Sequence, residues 1–479
     1  MHSRSPIWFP LALIAVANWG CQAPESGEAM VAWDPPAAAH ASPPNIVLIL
    51  CDDLGYADLG FTGCEDIPTP HLDRLAREGV LCTDAHVSAS VCAPSRAGLL
   101  TGVYQQRGGF EANLGSGEGL LPGTRTFAAD LQGAGYQTCL VGKWHLGSKP
   151  GSRPDAMGFD HFTGLLGGSR SYFPIDKKTP SKQQRIERDG EVLPEESLGY
   201  VTDAFTDEGV RYIEERDPAK PLMLFMSYTA PHSPMHARPD LLERFSSIEN
   251  PRRAKYAAMV ACLDEGVGRL RGALETEGMA DNTMIVFLSD NGGATTNASD
   301  NGPWRGMKGS KWEGGHRVPF VVHYPGRLAP GQFDGCLSSL DLAPTFAAAA
   351  QCVDALPSDG VDLMPFLESK ARGPVHGELF WRRAVAAAYR DGDWKLIRID
   401  EKDGTRRPPI LVDLASDPGE RSDVSGAHPT RVEGMLQKLE SWESGLMEPR
   451  WMTGEIWREN QRNKHLMSVV TREDERRLP

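Results

Sequence analysis

The chain has 479 residues, with 50 Lys+Arg against 64 Asp+Glu and a net charge of −14. That balance excludes a nucleic-acid binder, which needs a basic face. With 24% charged and 40% hydrophobic residues, the chain can build a core and is no disordered scaffold. Its nine cysteines, none in a CxxC pair, are too sparse for a disulfide scaffold or a zinc finger.

Residues 1–22 read as a secretory signal peptide, with Arg4 in a short polar start and an apolar core over 7–17. Two processing routes fit them: cleavage after Ala15-Val16-Ala17, or lipid attachment at Cys21. No apolar run reaches the roughly 18 residues of a membrane span. No transmembrane segment is therefore expected, and the mature protein is expected to be periplasmic, cell-surface or extracellular. Residues 23–44, rich in Pro, Ala and acidic side chains, read as a linker.

From Asn45 onward, apolar runs of strand length alternate with helical patterns. Strands are expected over 46–50, 139–141, 222–226, 284–288 and 320–322, and helices over 71–78 and 126–132, each closed by a glycine. Runs without polar alternation suit strands buried on both faces. The pattern predicts an α/β fold over 45–361, a large mixed and mostly parallel sheet sandwiched by helices. Over 362–449, short strands at 379–383, 386–400 (turning at Asp391-Gly392) and 410–414 precede a helix from 429 to about 445. They predict a smaller domain of antiparallel sheet plus helix. Residues 450–479 read as a charged arm or tail.

The chemistry follows the strands. The run over 46–50 leads into Cys51-Asp52-Asp53, and the run over 284–288 into Ser289-Asp290-Asn291-Gly292-Gly293. Taken singly, such pairs are ordinary turn residues. Ligands of open parallel sheets bind at the carboxyl ends of strands, however, so two strands can deliver Asp52, Asp53, Asp290 and Asn291 to one place. Three carboxylates and an amide make a hard-cation site for Ca²⁺ or Mg²⁺ rather than zinc. Two further strands lead into Lys143-Trp144-His145 and Ala230-Pro231-His232, and a Gly-rich basic stretch carries Lys308. On the same sheet edge these supply the cations and acid/base groups of a metal-assisted anion site. At physiological ionic strength the Debye length is about 8 Å, so this local cluster outweighs distant surface acids.

The sharpest motif is Cys92-Ala93-Pro94-Ser95-Arg96 followed by Leu100-Thr101-Gly102. Pro94 is preset for a first helical turn, so Cys92 is expected just ahead of a helix. Here the chain resembles the type I, formylglycine-dependent sulfatases of the alkaline phosphatase superfamily, whose first signature is Cys-x-Pro-Ser-Arg ending in Thr-Gly. Their second signature is matched by Gly135 through Lys143-Trp144-His145, and the resemblance runs from Asn45 to about Glu420.

The resemblance implies that a formylglycine-generating maturation enzyme oxidises Cys92 to Cα-formylglycine, whose hydrate attacks sulfur and expels the alcohol. It implies that Asp52, Asp53, Asp290, Asn291 and the modified Cys92 hold Ca²⁺. It further implies that Arg96 and His145 orient the hydrate, with His145 the base for its breakdown. Lys143 and Lys308 then neutralise sulfate oxygens, and His232 with Lys308 protonates the leaving oxygen. The wording at 63–73 and at Trp312-Glu313-Gly314-Gly315 resembles arylsulfatases and N-acetylgalactosamine-6-sulfatases, which implies a sulfated carbohydrate substrate. Two alternatives stand beside it: a phosphonate or phosphodiester hydrolase of the same superfamily, and a non-catalytic sulfated-glycan-binding protein should Cys92 stay unmodified.

Overall fold

The computed structural model describes residues 42–113, 119–175, 180–352, 357–401, 405–451, 458–459 and 462. The leader, Cys21, most of the linker and most of the C-terminal arm lie outside the described residues. Sixteen strands are assigned among them. In chain order they begin with β1 (Asn45–Cys51), β2 (Val80–Cys82), β3 (Ala85–His86), β4 (Gln137–Lys143), β5 (His161–Leu165) and β6 (Ile186–Arg188). Next come β7 (Glu191–Val192), β8 (Leu222–Ser227), β9 (Thr283–Ser289), β10 (Phe320–His323), β11 (Gly331–Phe333) and β12 (Leu337–Ser338). The last four are β13 (Glu378–Arg383), β14 (Ala386–Asp391), β15 (Trp394–Ile399) and β16 (Ile410–Asp413).

Ten strands form one sheet in the order β11-β2-β10-β9-β1-β8-β4-β5-β6-β7. Its centre, β9-β1-β8-β4-β5, is parallel throughout, whereas β10 runs antiparallel to both its neighbours and β6 and β7 are antiparallel additions. The mixed, mostly parallel sheet expected from the apolar runs is therefore present.

Helices cover both faces. In chain order these are α1 (Pro70–Glu78), α2 (Cys92–Thr101), α3 (Phe127–Gly133), α4 (Val201–Glu215), α5 (Pro239–Arg244), α6 (Pro251–Thr276), α7 (Glu313–His316), α8 (Leu342–Ala349), α9 (Met364–Leu367) and α10 (Pro429–Ser444). Successive strand side chains point to opposite faces. Val47, Ile49 and Cys51 accordingly pack with α1, α4 and α6, while Ile46, Leu48 and Leu50 pack with α2, α3 and α8. Leu363, Met364 and Leu367, at and before α9, join that second layer. Helices α4 and α6 were not among the predicted elements. Residues 256–263 of α6 are buried on every side, so they show no amphipathic stripe to read.

β13 to β16 form the separate antiparallel sheet expected near the C-terminus. One face, with Trp381, Ala388, Ile397 and Val412, packs on Trp312 and Cys336, and the other, with Tyr389, Leu396 and Leu411, carries α10 through Met435 and Leu439. A buried ionic cluster joins the two bodies. Lys395 Nζ lies 2.7 Å from Glu313 Oε1 and 2.8 Å from Glu420 Oε1, and the Glu313 backbone N–H donates to Glu420 Oε2 at 2.5 Å. Glu313 opens α7, in the segment that also carries Lys308.

Candidate active site

Strands β9, β1, β8 and β4 are four consecutive neighbours running the same way, so their carboxyl ends share one edge. That edge holds Asp290-Asn291, Asp52-Asp53, the segment ending at His232, and Lys143. The strand ends singled out in the sequence are thus brought together.

Cys92 enters this edge from α2. The expectation that it lies just ahead of the helix is corrected: Cys92 is the first residue of α2 and Val91 its N-cap. Pro94 fits the third helical position because first-turn N–H groups have no intrahelical partner to lose. Val91 offers no side-chain cap, and Asn113 Oδ1 instead accepts from the Ala93 N–H at 3.1 Å.

The Cys92 sulfur sits 3.3 Å from Asp52 Oδ1, 3.8 Å from Asp53 Oδ1 and 3.1 Å from Lys308 Nζ. Lys143 Nζ donates to Asp52 Oδ2 at 2.6 Å, and Lys308 Nζ lies 2.6 and 2.8 Å from the two Asp53 oxygens. Asn291 Nδ2 donates to Asp53 Oδ1 at 2.8 Å, and His232 Nε2 stands 3.5 Å from Asp53 Oδ2. Arg96 reaches across to Asp290, its Nε donating to Oδ2 at 2.8 Å. His145 lies among these charges with a left-handed backbone (φ 59°), its ring against Gly168, where a Cβ would come within 2.6 Å of Nε2.

Burial works to raise Asp52, yet Lys143, His232 and Arg96 hold its carboxyl well below the usual range. Asp290 goes the other way, pushed up to about 7 by burial and by the Asp52 charge. Burial and Asp52 also push the Cys92 thiol up, so the unmodified sulfur is no ready nucleophile. Burial, with Lys143 and Arg96, drives His145 well below its ordinary value and keeps the ring neutral. Lys308 is raised because Asp53 and Cys92 outweigh its burial.

Three buried polar atoms here have no hydrogen-bond partner among the described residues: Asn291 Oδ1, Arg96 Nη2 and His145 Nδ1. An orphaned acceptor beside three carboxylates suits a cation, and all the side-chain donors except Cys92 are hard oxygens, so the residues fit Ca²⁺. An orphaned guanidinium edge suits a polar group built on Cys92 or an anion.

Supporting residues absent from the sequence reading hold this arrangement. Ser227 bonds Arg96, and Asn113 caps α2. Buried Asp58 accepts from Arg253 Nη1 and the Tyr256 hydroxyl, both at 2.5 Å, and from the Asp300 and Gly55 N–H groups at 3.0 and 3.1 Å. It thereby ties the loop after β1 to the loop leading to Lys308. The one sequence signal for Ser227 was a polar residue closing an otherwise apolar strand.

Residues 44–352 match the sulfatase family model. The chain belongs to the sulfatase family. This sulfatase is 32% identical to arylsulfatase J of Mus musculus, over 90% of this chain and 82% of that protein. It is 33% identical to the N-acetylgalactosamine-6-sulfatase of Mus musculus over 69% of this chain and 67% of that one. The crystal structure of Ps i-CgsB in complex with k-i-k-neocarrahexaose superposes with a TM-score of 0.81 and 34% identity, covering 91% of this sulfatase and 99% of that chain. The protein is a sulfuric ester hydrolase. No helix among the described residues is long and apolar enough to cross a membrane.

Proposed function

We propose that this sulfatase removes sulfate from a sulfated carbohydrate, with Cys92 working as its formylglycine derivative beside Ca²⁺. The observation that carries the reading is that one buried sulfur meets the Asp52 and Asp53 carboxylates and the Lys308 ammonium, with Lys143, Asn291 and Asp290 bound to those aspartates in turn, and with an amide oxygen and a guanidinium nitrogen left unpartnered. The carbohydrate class is supported by two relatives, one solved with a neocarrahexaose and one named for N-acetylgalactosamine 6-sulfate chemistry.

Ca²⁺ held by Asp52, Asp53, Asp290 and Asn291 supplies Lewis-acid stabilisation of charge on sulfate oxygens. Formylglycine made from Cys92 by a maturation enzyme supplies, as its hydrate, the nucleophilic hydroxyl that a raised thiol lacks. The remaining work falls to the chain's own groups. Lys143 and Lys308 place two ammonium charges against the anion in a buried, low-dielectric site. Arg96 orients the side chain at position 92 through its open Nη2 edge. His145, neutral in this setting, accepts a proton from that side chain.

His232 Nδ1 donates to the Ser233 carbonyl at 2.6 Å, because a carbonyl can only accept. That fixes the ring, and a proton on Nε2 is the one delivered to the leaving alcohol. The leader read in the sequence supports an extracytoplasmic location, where polymers too large to enter a cell are met.

The test is one preparation assayed on defined sulfated oligosaccharides and on matched sulfate and phosphonate monoesters, with the Cys92 peptide weighed by mass spectrometry. Sulfate release from carbohydrate by aldehyde-bearing protein is expected. Full activity with nothing but intact thiol at Cys92 would overturn the reading.

A further inference from the structure

We infer that Ser227 is a positioning residue for the reaction: its buried hydroxyl locks the Arg96 guanidinium against the Lys143 backbone, leaving one edge free for the group at position 92. The inference rests on the role proposed for Arg96 above.

Ser227 is the last residue of β8, between β1 and β4, and is fully buried. Its Oγ lies 2.6 Å from Arg96 Nη1 and 2.6 Å from the Lys143 carbonyl oxygen. A hydroxyl has one hydrogen, and the carbonyl can only accept it. The bond to Arg96 is therefore one in which Ser227 accepts from a cation, the stronger class of hydrogen bond.

Nη1 also points to the Lys143 carbonyl at 3.2 Å, and Nε donates to Asp290 Oδ2 at 2.8 Å. Three of the five guanidinium N–H groups are thus committed, to the carboxyl ends of β4, β8 and the β9 segment. The other two, on buried Nη2, have no partner among the described residues. Cys92 and Arg96 are four residues apart on α2, so their side chains share a face.

The backbone is built for this contact. Ser227 pairs in register with Gly142, where a Cβ would sit 1.9 Å from the Ser227 carbonyl oxygen. Glycine there lets β4 and β8 approach closely enough for one hydroxyl to bridge the two strand ends. Both bonds of the Ser227 hydroxyl go to the Arg96–Lys143 pair, so its removal leaves the guanidinium held by Asp290 and by the longer 3.2 Å bond to the Lys143 carbonyl, and its plane is freer to tilt. Lys143 Nζ and Lys308 Nζ are left in place, and with them anion binding.

Kinetics of S227A, S227T, R96K and the S227A/R96K double variant test this, with rates normalised to the fraction of protein carrying formylglycine and with thermal midpoints measured alongside. S227A is expected to lose about ten-fold in kcat, with KM changed by less than about two-fold. S227T, which keeps the hydroxyl, is expected to recover most of that loss. In the R96K background, which lacks the fork, S227A should cost little more. A lowered thermal midpoint with wild-type kcat in S227A would mean a merely structural role and overturn the inference, as would an equal kcat loss with and without the Arg96 fork. Should S227A not fold, S227C is read by the same criteria. R96K at wild-type turnover would instead remove the Arg96 reading itself, whereas an impaired R96K beside an unimpaired S227A would remove the Ser227 inference alone.

Discussion

Glu420→Gln isolates one buried proton. Glu420 is fully buried, with one oxygen 2.8 Å from Lys395 Nζ and the other accepting the Glu313 N–H at 2.5 Å. Burial pushes its carboxyl up to about 7 from an ordinary 4.5, with Glu313 pushing the same way and Lys395 pulling against both. Between those values the folded protein holds a proton that the unfolded chain has released, so its stability falls as pH rises through the window. At about 1.4 kcal/mol for each unit of pH, the gap amounts to about 3 kcal/mol of stability, present below pH 4.5 and lost above pH 7. Glutamine keeps the acceptor for the Glu313 N–H and cannot ionise, but it turns an amide N–H toward Lys395 Nζ, a donor facing a donor at every pH. Urea denaturation of both proteins at pH 5 and pH 8 should therefore show E420Q the less stable at the lower pH, with the gap narrowing or reversing at the higher as only the unaltered protein loses stability. Parallel pH profiles would refute the reasoning, because they would mean that Lys395 keeps Glu420 ionised throughout.

Other outcomes follow from the same contacts. Cys92→Ala should abolish turnover while leaving the fold intact by circular dichroism. Asp290→Ala should lose bound Ca²⁺ and on the order of 10²-fold or more in kcat, and elemental analysis returning stoichiometric zinc in the unaltered enzyme would contradict the oxygen-ligand argument. His232→Ala should fall by about 10²–10⁴-fold on a sugar sulfate and far less on an activated aryl sulfate, whose phenolate departs without a proton; equal losses on both would remove His232 as the acid. Asp58→Ala leaves Arg253 paired with Asp66 at 2.7 Å but strips the acceptor from the buried Tyr256 hydroxyl and the Asp300 N–H, and should cost about 1–3 kcal/mol for each stranded donor in chemical denaturation.

What the sequence made legible was the local grammar of strand ends. Apolar runs closing in Asp52-Asp53, Asp290-Asn291 and Lys143 announce a polar edge, because side chains at the carboxyl ends of buried strands face a shared crevice. The order β9-β1-β8-β4, which turns separate edges into one site, depends on crossovers of dozens of residues and leaves no trace in any short window. Long-range partners were hidden for the same reason: Ser227, Asn113 and Asp58 matter through residues 131, 20 and 195 positions away. The antiparallel β10 was read as a strand but not for its direction, since an apolar run buried on both faces looks alike either way. Helix α6 escaped because the continuous burial of residues 256–263 erases periodicity.

All ten residues of α2 are buried, from Cys92 to Thr101, and the Cys92-to-Arg96 pentad is the core that a maturation enzyme would have to grip. An enzyme needs its peptide substrate extended and in hand, and a sealed helix offers neither. If Cys92 is oxidised as proposed, that oxidation and collapse of the chain are rivals in time. On that reading a chain that closes first would keep its thiol, so in a heterologous host the share of working molecules would be decided by a race run during synthesis, and slowing the collapse of β1 onto α2 would favour the modifier.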